Sequence, residues 1–122
     1  MNKLIVKKFG GTSVANAERI EAVADLVAKS VEDGNEVVVV LSAMGKSTDE
    51  LIKLSKDINP NPDLREYDAL VSTGEQISVA LLAMALQKRN IKIFNSVWPN
   101  SFRTCCYCIS IFTCNIISNW PQ

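Results

Sequence analysis

The chain predicts an α/β fold with an open sheet, and three observations carry that expectation. Val37 to Leu41 is an unbroken apolar, β-branched run, the pattern of a strand covered on both faces in a parallel sheet. Ile20, Val23, Ala24, Val27 and Val31 recur at helical spacing and form one apolar face. Strand-like and helix-like segments alternate along the chain, which is the order of βαβ units.

Taken in order, Lys3 to Phe9 reads as a first strand around Leu4-Ile5-Val6, and Val14 to Asp33 as the helix after it. Asp33-Gly34-Asn35 ends that helix with a turn signal, and Val37 to Leu41 follows as a parallel strand. The unit is a right-handed βαβ crossover. The loop Ser42 to Ser47 leads into a helix carrying Leu51, Ile52 and Leu54, with Ser47 and Glu50 spaced as a capping box. Asn59-Pro60-Asn61-Pro62 breaks the chain. A helical stretch from Leu64 to Ser72 comes next, then Gly74 as punctuation, a second helix from Glu75 to Lys88, and a third strand from Ile91 to Phe94. In such a sheet ligands sit at the carboxyl ends of the strands.

Composition narrows the chemistry. Lys+Arg and Asp+Glu are 13 each, so no basic field favours nucleic acid or an anionic membrane. With 122 residues there is room for one core. The first ten residues lack the apolar stretch and cleavage site of a signal peptide, and the expected location is the cytoplasm. Histidine is absent, which removes the commonest acid/base group at neutral pH and excludes Ser-His-Asp and Cys-His hydrolases. Lysine, carboxylates, hydroxyls and backbone N–H groups suit phosphoryl transfer, where positioning and charge stabilisation dominate.

Lys8-Phe9-Gly10-Gly11-Thr12-Ser13 joins the end of the first strand to a glycine turn and two hydroxyls. Paired glycines let the backbone approach a ligand closely, successive N–H groups can receive an anion, and Lys8 adds a mobile charge for a phosphoryl group. A tight turn that happens to follow a lysine is the plainer alternative. Gly45-Lys46-Ser47 imitates a P-loop, yet the position of that motif's first glycine holds Val40, inside the strand.

The stretch KFGGTSVANAERI, Lys8 to Ile20, resembles the opening signature of aspartate kinases, in the amino-acid kinase superfamily. Val38 to Met44 resembles that family's second strand and its substrate-side loop, and Val71-Ser72-Thr73-Gly74-Glu75-Gln76 resembles the segment that holds the amino-acid substrate. The resemblance covers Lys3 to Asn90. It implies a three-layer αβα, mostly parallel sheet of the carbamate kinase-like type, present here as its N-terminal portion.

It further implies transfer of the ATP γ-phosphoryl group to the β-carboxylate of L-aspartate. Lys8 is then the catalytic cation, and Lys8, Phe9, Gly10, Gly11, Thr12, Ser13 and Ser42 form the ATP side. Thr48, Thr73, Gly74 and Glu75 form the aspartate side, with the Glu75 carboxylate receiving the α-amino group. Taken without the resemblance, Ser47 and Thr48 read equally well as helix caps, and Glu75 as a carboxylate stabilised at a helix start. Mg2+ is expected to enter bound mainly through the phosphates, with its protein contacts coming from the half of the fold beyond this portion and no metal ligand assigned in this chain. The family usually forms dimers or larger assemblies. Another superfamily member, or a non-catalytic aspartate-binding fragment, are the alternatives.

After Lys92 the character changes. From Ile93 to Gln122 the only charge is Arg103, and all 4 cysteines, Cys105, Cys106, Cys108 and Cys114, fall there. Cys105 and Cys108 make a C-x-x-C without the second pair or histidine of a zinc site. The apolar run is broken by Asn115, Ser118 and Asn119 and is short for a bilayer span. The expectation is a kinase-domain portion over 1–92 and an atypical tail over 93–122 produced by a frame error or truncation, leaving the chain weakly active or inactive.

Overall fold

A computed structural model describes residues 3–95 and 110–114. Strand β1 (Leu4–Phe9) is followed by a short 3-10 helix (Gly11–Val14), helix α1 (Ala17–Glu32) and strand β2 (Glu36–Leu41). Helices α2 (Ser47–Ile58) and α3 (Leu64–Gln87) come next, and then strands β3 (Ile93–Asn95) and β4 (Ser110–Cys114). The sheet order is β1-β2-β4-β3. β1 pairs in parallel with β2, with Ile5 opposite Val37 and Phe9 opposite Leu41. β4 lies antiparallel to both β2 and β3, so β1, β2 and β3 share one direction. β4 belongs to the segment that the sequence sets apart, whereas Cys105, Cys106 and Cys108 lie outside the described residues.

The βαβ unit forms as its pattern requires. Asn16 caps α1, its Oδ1 accepting the Arg19 N–H at 2.9 Å. The helix closes where Gly34, at φ 84°, donates to the Val31 carbonyl and Asn35 N–H reaches back to the Ser30 carbonyl. That pair of bonds is a Schellman closure, and the left-handed turn is one that glycine makes without strain. Ile20, Val23, Ala24, Val27 and Ala28 are buried, as are Val37, Val39 and Leu41 of β2. The core lies between this side of the sheet and helices α1 and α3.

The paired register puts Leu4, Val6, Lys8, Val38 and Val40 on the opposite face of the sheet. Leu4 is 62% and Val6 64% exposed, so one helical layer is in place and the other face is open among the described residues. A three-layer fold seats its second helical layer on that face. β2 is therefore buried on alternate residues only, although its sequence reads as a strand covered on both sides.

Three local expectations are corrected. First, the helical stretches before and after Gly74 are one 24-residue helix. Glycine is unfavourable inside a helix by about 1 kcal/mol relative to alanine, but packing overrides that preference here. Second, α2 is capped by Lys46 without a side-chain bond, and no capping box forms. The Ser47 N–H donates to the Met44 carbonyl at 2.9 Å, so the tight turn has already drawn Ser47 into the helix. Third, β3 begins at Ile93, because Ile91 still serves α3. Asn90, at φ 58°, makes a second Schellman closure, with Asn90 N–H to the Gln87 carbonyl and Ile91 N–H to the Leu86 carbonyl.

By length and mean hydropathy, 1.5 over its apolar window, α3 would suffice to cross a bilayer. In this fold Val79, Leu82, Ala83, Ala85 and Leu86 bury it in the core. Arg89, just beyond its end, pins it to α1. The guanidinium meets Glu21 Oε2 and Asp25 Oδ1 at 2.7 Å each and also donates to the Ala85 carbonyl. Lys88 adds a contact to Glu21 at 3.2 Å. The hydrogen bonds from Arg89 and then Lys88 hold the Glu21 carboxyl below its ordinary value.

Candidate active site

The first two motifs meet at the carboxyl ends of β1 and β2. Ser42 N–H donates to the Phe9 carbonyl at 3.2 Å, and Gly45 N–H to the Gly11 carbonyl at 3.0 Å. The two turns are thus joined edge to edge. A β-carbon on Gly11 would fall 2.8 Å from the Ala43 carbonyl oxygen and 3.1 Å from that of Gly45. Both are backbone atoms that cannot swing aside, so only glycine fits. Gly45 completes the crossing with φ 51°.

Gly10 differs from its neighbour. Its φ of −76° and ψ of 173° are open to any residue, and a β-carbon there would meet nothing within 4 Å. Neither glycine of the pair has a positive φ. Gly11 is required by packing, and Gly10 leaves free space at the strand end, where a ligand could come close.

The other residues of the phosphate-side motif face different ways. Lys8 is exposed on the open face of the sheet and makes no ion pair among the described residues. Phe9 packs against the core, so its ring is structural and only its backbone lies at the turn. Thr12 is exposed and Ser13 half-buried in the 3-10 helix. Ser13 N–H is spent on the Gly10 carbonyl at 3.0 Å and is not offered to an anion.

The third motif reaches the same loop through α3. A β-carbon at Gly74 would lie 3.1 Å from Ala43 Cβ, 3.6 Å from Thr48 Oγ1 and 3.7 Å from Ser47 Oγ. The missing side chain lets α3 pack directly on the 43–48 segment. Gly74 is buried and Glu75, next to it, is half-buried with no ion-pair partner among the described residues. Glu75 sits well inside α3, away from its first turn, so the helix dipole does not account for it. The structure does not bring Thr73 in: it is exposed, and its hydroxyl donates to the Leu70 carbonyl of its own helix at 2.6 Å.

Two hydroxyls that sequence reasoning left out of the site belong to this junction. Ser47 Oγ is buried without a hydrogen-bond partner, having lost the capping role assigned to it. Ser78 is fully buried, and its hydroxyl lies 2.8 Å from the Ser42 carbonyl and 3.0 Å from that of Glu75. A polar residue on the apolar stripe Gly74-Ser78-Leu82 was the sequence signal for it.

Among the described residues, no three His, Cys, Asp or Glu side chains gather closely enough to cage a metal ion. The site as described is a junction of three backbone segments carrying Lys8, Ser42, Thr48 and Glu75.

A glycine-bearing strand end, a hydroxyl loop and a carboxylate helix meet at the carboxyl ends of β1 and β2, the end at which α/β sheets hold their ligands. The model of the amino acid kinase family matches residues 3–102, and the chain belongs to that family. The chain is 58% identical over 89 residues to an aspartokinase of Geobacillus stearothermophilus, covering 73% of this chain and 22% of that protein. It is 48% identical over 102 residues to aspartokinase 2 of Bacillus subtilis, covering 83% of this chain and 25% of that one. The crystal structure of an aspartate kinase from Synechocystis superposes with a TM-score of 0.69 at 60% identity, over 71% of this chain and 15% of that one. The chain therefore spans a quarter or less of the length of these relatives.

Proposed function

We propose that this chain is the aspartate-binding and phosphoryl-handling portion of an aspartate kinase. In this reading the γ-phosphoryl group of ATP passes to the β-carboxylate of L-aspartate, giving 4-phospho-L-aspartate and ADP, the first step towards lysine, threonine and methionine. The convergence of Gly11 and Gly74 on Ala43 is the observation that carries it, since it gathers all three motifs at one loop. The aspartokinase names of the relatives supply the substrate.

Glu75 receives the α-amino group of aspartate, an ammonium for an unpaired carboxylate. Thr48, beside Gly74, orients the amino acid, and Gly74 keeps the approach open. Lys8 offsets charge on the transferred group, with Gly10, Gly11, Thr12 and Ser42 around the phosphate oxygens. The β-carboxylate is ionised at neutral pH, so no general base is needed. Mg2+ bound together with ATP would supply charge neutralisation beside Lys8. Cytoplasmic location and assembly into dimers or larger forms are part of the same reading, as is an atypical tail over 93–122, of which 93–102 still fall within the family match.

Calorimetric titration of the chain with L-aspartate tests the proposal. Saturable binding that D-aspartate and L-glutamate fail to reproduce is expected, with little acyl phosphate trapped by hydroxylamine when ATP and Mg2+ are added. Absence of L-aspartate binding overturns it, and preference for another acceptor transfers the chain to a different branch of the family.

A further inference from the structure

Resting on the aspartate kinase reading, we propose that Ser78 is a positioning residue that couples the phosphate-side turn to the amino-acid side of the site. Ser78 is 0% exposed, on a helix face otherwise occupied by Gly74, Val79, Leu82 and Leu86. Its hydroxyl has one proton and two acceptors within reach. The Glu75 carbonyl at 3.0 Å, three residues back, is the partner any serine inside a helix can find for itself. The Ser42 carbonyl is nearer, at 2.8 Å, and lies 36 residues away in sequence.

That second contact has a purpose of its own. Ser42 follows the last residue of β2, and its N–H is already held by the Phe9 carbonyl at 3.2 Å. Ser78 takes the other backbone polar group of the same residue, so the Ser42 main chain is gripped from β1 on one side and from α3 on the other. The bonds run from Phe9 to Ser42, from Ser42 to Ser78, and through the shared hydroxyl to Glu75. They link all three motifs in one line. A shift of Glu75 on binding an ammonium is thereby transmitted to the backbone beside Gly10 and Gly11.

Amide-resolved NMR of the whole chain, with L-aspartate as the probe, tests this. In the native sequence, aspartate should shift the amides of Thr48 and Glu75 and also those of Gly10 and Gly11. In Ser78→Ala the first pair should still respond, with affinity within about fivefold of the parent, while the second pair falls silent. Ser78→Cys keeps the volume with a weaker donor and should give a diminished response at Gly10 and Gly11. It carries the test if the alanine variant fails to fold.

Equal responses at Gly10 and Gly11 in the parent and a folded variant overturn the coupling, as does a parent whose glycines never respond. In both cases the aspartate reading stands. A parent with no response at Thr48 or Glu75 overturns that reading, and the coupling with it.

Discussion

A β-carbon on Gly11 would stand 2.8 Å from the carbonyl oxygen of Ala43, whereas one on Gly10, the residue before it, would touch nothing. Two adjacent and identical residues thus serve different ends. Gly11→Ala should cost about 1–3 kcal/mol in urea unfolding, the range for overpacking against atoms that cannot yield. Gly10→Ala should leave stability unchanged or slightly raised, while filling the space beside the strand end. Equal destabilisation by both would show that the turn is held by backbone conformation and not by the approach of the 43–45 loop.

Glu75→Gln should leave the unfolding midpoint unaltered, because the carboxylate supports no ion pair among the described residues. Its effect should fall on L-aspartate binding. Losing a charge-assisted bond of about 1.5–3 kcal/mol weakens affinity by roughly ten- to a hundredfold. Calorimetry and thermal melts on the same preparation separate the two quantities.

Lys8→Ala is the complementary substitution. Lys8 is exposed, and stability should not change. In a longer chain of this family with measurable turnover, the change should lower kcat by about 10²-fold or more while the KM for aspartate stays within about threefold. A raised aspartate KM with unchanged kcat would move Lys8 to the wrong side of the site.

Glu21 supplies the pH prediction. Its carboxyl is held below its ordinary value of 4.5 by Arg89 first and Lys88 second, so its contribution is present above the unfolded-state value. It is lost as pH falls through the depressed one. The unfolding midpoint should therefore drop on acidification below about pH 4.5, and Glu21→Gln should flatten that part of the profile while lowering stability at neutral pH. Arg89→Ala should shrink the acid limb and leave the part that Lys88 supplies. A melting profile with the same acid limb in all three chains would count against the pairing.

Much of this arrangement was legible in the residues themselves. The spacing of Ile20, Val23, Ala24 and Val27 identified α1 by its helical period, and the short β-branched run from Val37 to Leu41 identified β2 by composition and length. Gly74 misled for the same reason that it matters. Its local preference is to break a helix, and what holds it inside α3 is a neighbour distant in sequence, Ala43. Ser47 and Glu50 had the spacing of a cap, but the left-handed turn at Gly45 starts the helix one residue sooner than that pattern allows. In the site, Gly11, Ser42, Thr48 and Glu75 are recognisable from motif order. The pairing of Ser78 with Ser42 and, outside the site, that of Arg89 with Asp25 are not, since those partners lie 36 and 64 residues away in the chain.

Among the described residues β1 has a sheet neighbour on one side only, and its outward residues Leu4 and Val6 are largely bare. A free ladder edge beside an uncovered apolar face is a template for another copy of itself. The working life of this chain in solution is accordingly a matter of concentration and time more than of folding free energy. Dilute, freshly refolded samples and concentrated, aged ones should behave as different substances, with the phosphate-side turn, which grows directly out of β1, the first part of the site to be buried as strands accumulate.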